Sequence, residues 1–167
     1  AIIDAVRAEG DAAVARCARE FDGLTLADTA VSPAEFAAAR AQLSAADVGL
    51  IERAIINVEA FHRVSMPQPV ALEVQPGVYC ERVIRPIRSV GLYVPAGSAP
   101  LPSTVIMLAL PARIAGCPER VLCTPPQRSG CASAAVLVAA TLCGITHTHT
   151  HTHTHPPPHT HARTHTH

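Results

Sequence analysis

The sequence predicts an α/β protein: a helical segment and a β-hairpin, then the opening of a parallel sheet that is cut short, then a disordered His-rich tail. Apolar residues recur at helical spacing over the first 65 residues, and the period shifts to that of strands near residue 70. From Val90 onward, short apolar runs alternate with helical ones. The expected segments are 1–66 (helical), 67–88 (hairpin), 89–145 (start of the parallel sheet) and 146–167 (tail).

Each element has a local cause. Ile2 to Glu9 should stop at Gly10, and Asp11 can cap a second helix that places Val14, Cys17 and Phe21 on one face before Asp22-Gly23 ends it. Ser32-Pro33-Ala34-Glu35 is a stronger start, because Ser32 can accept from first-turn amides, Pro33 needs no amide partner there, and Glu35 can close a capping box. Ser44-Ala45-Ala46-Asp47 repeats this before a helix with Val48, Ile51, Ile55, Val58 and Phe61 at helical spacing. Gln75-Pro76-Gly77-Val78 suits a type II turn between two strands, since Pro76 presets one central angle and Gly77 accepts positive φ at the other. Beyond it the chain reads as a strand, Val90 to Val94, and a helix, Thr104 to Ala115, capped by Ser103 and Gly116, with Pro111 kinking or dividing it. A strand from Val121 to Thr124 and a helix from Ala132 to Cys143 follow, the latter closed by Gly144. With only two parallel strands, Val121, Leu122 and Cys123 would form an unpaired apolar edge.

Composition excludes several classes. The formal net charge is zero and all 13 basic residues are Arg, so no basic surface is available for nucleic acid and no cationic helix for a membrane. Six cysteines without CxxC spacing, mostly in apolar runs, read as free core thiols of a reducing compartment rather than a disulfide framework. The apolar runs are shorter than a membrane span, and neither an initiator Met nor a signal peptide opens the chain, so both ends are expected to be cuts. From Thr146 the sequence becomes Thr-His alternation holding nine of the ten histidines, the product expected of a translated CA dinucleotide repeat. Lacking apolar side chains to offset the entropy of ordering, it is expected to be disordered.

The stretch from Arg85 to Pro126 holds most of the functional information. Its strand ends in a Pro/Gly/Ser loop, Pro95 to Pro102, that leads into a helix start, an arrangement able to present free amides to a ligand. SVGLYVPAGSAPLPSTVIMLALPARIAGC followed by VLCTPP resembles histidinol dehydrogenase. Weaker likeness runs through EGDAAVARCAREFDG, SPAEFAAAR, NVEAFH, VQPGV and AATLCGI, so the resemblance covers about residues 1 to 145.

The resemblance implies a zinc-dependent oxidoreductase that carries L-histidinol to L-histidine with two NAD reduced, acting as a homodimer in a plastid stroma or in cytoplasm. It makes residues 89–145 part of an NAD-binding, Rossmann-like domain, in which Tyr93 contacts NAD and Pro95 and Gly97 neighbour the cofactor. The family has glycine where this chain has Ala96, and Ala96 is strained if that position takes positive φ. The family's zinc ligands and catalytic Glu-His pair belong beyond Ile145, so the expected object is an amino-proximal fragment, inactive alone, that supplies no catalytic residue and no zinc ligand.

His62 reads as a solvated helix-terminal residue, and Asp4, Glu9, Asp11, Glu52 and Glu59 as caps or surface charges. The tail histidines are the metal ligands this chain offers, but a flexible tract supplies ligands without geometry, which implies adventitious binding. The competing reading is a metal-binding or interaction protein that displays a His-rich tail.

Overall fold

The computed structural model describes residues 2–23, 29–95, 100–127 and 130–150. Four helices come first: α1 (Ile2–Glu9), α2 (Asp11–Asp22), α3 (Pro33–Gln42) and α4 (Ala45–Val64). The hairpin strands β1 (Val70–Gln75) and β2 (Val78–Arg82) follow. The chain then alternates through β3 (Ser89–Tyr93), α5 (Pro102–Ile114), β4 (Glu119–Thr124), α6 (Ala134–Leu142) and β5 (His147–Thr150). β1 and β2 pair antiparallel, and β3-β4-β5 form a parallel sheet in that order.

Local signals set most helix boundaries. Both capping boxes form: Ser32 Oγ accepts from the Glu35 amide at 3.3 Å, and Ser44 Oγ from the Asp47 amide at 3.1 Å. Three starts differ from expectation, α6 by opening at Ala134 after Ser133 rather than at Ala132. Gly10, not Asp11, occupies the cap position of α2, and Asp11 instead lends its charge to the first turn. α5 begins at Pro102 with Leu101 as its uncapped flank, because proline suits the first helical position, and this draws Ser103 inside the helix. α5 also runs undivided through Pro111. The hairpin turns at Gly77, whose φ of 80° is the positive value the turn requires.

The core lies on one face of the parallel sheet. Alternation along the strands sends Leu92, Leu122, Thr124, Thr148 and Thr150 inward, together with Val94 just past β3. The apolar members of this set pack against Val105, Ile106, Ala109 and Leu110 of α5 and against Val136, Val138, Ala139 and Ala140 of α6. Both crossover helices lie on the same side, as right-handed connections between successive neighbouring strands require. α4 packs along α5 through Val48, Ile51 and Ile55, and α3 packs along α6. Full burial of each such aliphatic side chain contributes about 1.5–3 kcal/mol. Phe61, placed on the apolar face of α4 by its spacing, is instead 69 % exposed.

β5 corrects two expectations at once. Residues 147–150, assigned to a disordered tail, form a strand, while residues 151–167 lie outside the described residues. Consequently β4 is the central strand, and Val121, Leu122 and Cys123 pair with His147, Thr148 and His149 rather than forming an open edge. Threonine is β-branched and Thr-His alternates with the period of a strand, so the threonines can fill the inner face while the histidines stay outside. The Thr146 amide donates to Arg120 O at 3.0 Å, and the Arg120 amide donates to Thr146 Oγ1 at 2.9 Å. On the far side, Val31 N–H donates to Thr148 O at 2.9 Å and Thr150 N–H to Thr29 O at 2.7 Å, closing that edge.

Two arginines tie the layers together. Arg113 Nη2 lies 2.7 Å from Glu59 Oε2 of α4, while its Nη1 donates to Leu142 O at the end of α6, at 3.4 Å. The hydrogen bond from Arg63, with the charge of Arg113, holds the Glu59 carboxyl below the usual carboxylate range. Arg120 donates through Nε to Gly144 O at 3.0 Å and through Nη1 to Cys117 O, fixing the turn that feeds β5.

All six cysteines are free, but only Cys117 and Cys143 are core residues, whereas Cys80 and Cys131 are exposed. Burial pushes the Cys143 thiol up to about 11. Alkylation read by mass spectrometry at mildly alkaline pH should therefore label Cys80 and Cys131 and spare Cys117 and Cys143 until denaturant is added. Labelling of Cys143 as fast as Cys80 would contradict this packing.

Thr148 Oγ1 is buried with no hydrogen-bond partner among the described residues. Thr148→Val keeps the shape and removes the orphaned hydroxyl, so it should stabilise the fold by about 1–2 kcal/mol, read from the urea midpoint. An unchanged or lowered midpoint would mean that the hydroxyl is satisfied.

Candidate functional site

The carboxyl ends of β3, β4 and β5 lie side by side, and open α/β sheets bind ligands beyond such ends. Tyr93 is the last residue of β3, half-buried, and opposite Cys123 in the ladder. Just beyond it, Val94 N–H donates to Cys123 O at 2.9 Å, so β3 stays paired to β4 past Tyr93. Pro95 follows and is exposed. Gly97 and Ala96 lie outside the described residues.

α5 starts at Pro102, across the loop from the end of β3. Its flanking residue Leu101 makes no side-chain cap, so the first-turn amides depend on other partners, and Thr104 N–H reaches Leu101 O at 3.1 Å. A helix start of this kind carries partial positive charge suited to phosphate. No acidic residue stands in the first turn of α5 to oppose an anion.

The sheet face opposite α5 and α6 carries two cross-strand rows. Gly91, Val121 and His147 form one, and Tyr93, Cys123 and His149 the other, which is continued by Ala30. These residues are exposed or half-buried, in contrast to the buried inner face. Burial alone pushes the Cys123 thiol up, which keeps it protonated at neutral pH. Sequence reasoning isolated Tyr93 but missed its row-mates on β4 and β5. The available signal was the strict Thr-His period of two, which is that of a strand.

His62 sits in the last turn of α4, half-buried, with its ring edge-on to Phe61 at 5.8 Å. Among the described residues, no three side chains of His, Cys, Asp or Glu are gathered as a metal-ligand set. The zinc implied by the resemblance therefore finds no ready-made ligand set here.

A family model described as histidinol dehydrogenase matches residues 1–151. The chain is 53% identical over 145 residues to a histidinol dehydrogenase of Xanthomonas euvesicatoria, covering 87% of this chain and 34% of that protein. It is 49% identical over 144 residues to one of Yersinia pestis, covering 86% and 32%. The solved histidinol dehydrogenase of Elizabethkingia anophelis superposes with a TM-score of 0.87 at 39% identity, over 90% of this chain and 35% of that one. The chain thus spans about a third of the length of the curated relatives it matches. With family match, identity and fold in agreement, the chain belongs to the histidinol dehydrogenase family.

Proposed function

We propose that this chain forms part of the NAD-binding portion of a histidinol dehydrogenase, which oxidises L-histidinol to L-histidine in histidine biosynthesis. The observation that carries this reading is the placement of Tyr93 at the carboxyl end of β3, the outer strand of the sheet. In doubly wound sheets the strand order reverses beside the first strand, and dinucleotides bind at that switch point. β3, β4 and β5 follow the order of one such half, which leaves Tyr93 beside the edge where a second half would pair. Tyr93 would pack against the cofactor, Pro95 and Gly97 would shape the loop, and the start of α5 would face the pyrophosphate.

NAD supplies the hydride acceptor, and the residues of this chain would bind and orient it. Among the described residues no three His, Cys, Asp or Glu side chains are gathered as a metal-ligand set, and in this reading the chemical step belongs to groups outside this part of the fold. Zinc dependence and homodimeric assembly are part of the same reading. The bacterial origin of the relatives favours cytoplasm over plastid as the compartment. An interaction protein displaying a His-rich tail would account neither for the family match over residues 1–151 nor for the identity over 145 residues.

The chain alone should produce no histidinol-dependent NADH, because cofactor contacts without base and metal cannot stabilise the transition state. NAD should nevertheless bind, and Tyr93→Ala should weaken it roughly tenfold by calorimetry, about 1.4 kcal/mol of lost contact. Equal affinity of the variant would displace Tyr93 from the cofactor, and enzyme-like NADH production would overturn the division of labour.

A further inference from the structure

We draw no further inference here: the strongest candidate, the exposed apolar patch that Val70, Leu72, Val74 and Val78 form on the β1-β2 hairpin, carries nothing because nothing in the structure shows what covers it.

Discussion

The fold depends on pairing the backbone of β4 on both edges. A central parallel strand buries its amides and carbonyls, and each left without a partner costs about 1–3 kcal/mol. β3 satisfies one edge through a five-residue register, Ser89 to Tyr93. β5 satisfies the other, and its own far edge is closed in turn by the segment Thr29 to Val31. That demand for partners makes a strand of a tract with no apolar side chain. The inner face accepts threonine methyls, at the cost of the orphaned Thr148 hydroxyl.

The parts legible in the sequence are those with local causes. Ser32 and Ser44 each need only a residue three positions on to complete a cap, and Gly77 and Gly116 need only a backbone that permits positive φ. β5 was missed although its period of two was in the sequence, because the partner that orders it lies 26 residues upstream, in β4, and composition argued for disorder. Phe61 misleads in another way. α4 has 20 residues and α5 has 13, so at 1.5 Å per residue the end of α4 overhangs its partner, leaving Phe61 and Val64 exposed although the spacing is right.

The same logic holds for the site. Tyr93 and Pro95 could be named from their place in a strand-loop-helix sequence that resembles a known family. The row that joins Tyr93 to Cys123 and His149 could not, because it exists only once three strands are in register. A binding crest is therefore partly a property of local sequence and partly one of the sheet that carries it. In this chain β4 serves both, since Cys123 O holds Val94 in the ladder while its side chain stands on the outer face beside Tyr93.

Residue-resolved amide hydrogen exchange tests the docking of β5 most directly. Val31 N–H and Thr150 N–H are hydrogen-bonded only if β5 lies between β4 and the Thr29–Val31 segment, whereas Val94 N–H reports the β3-β4 ladder independently. The structure predicts protection of Val31 and Thr150 within about tenfold of Val94, as expected if β5 opens with the core. Exchange of Val31 and Thr150 at unstructured rates beside a protected Val94 would contradict it, and would return the Thr-His tract to the disorder its composition suggests.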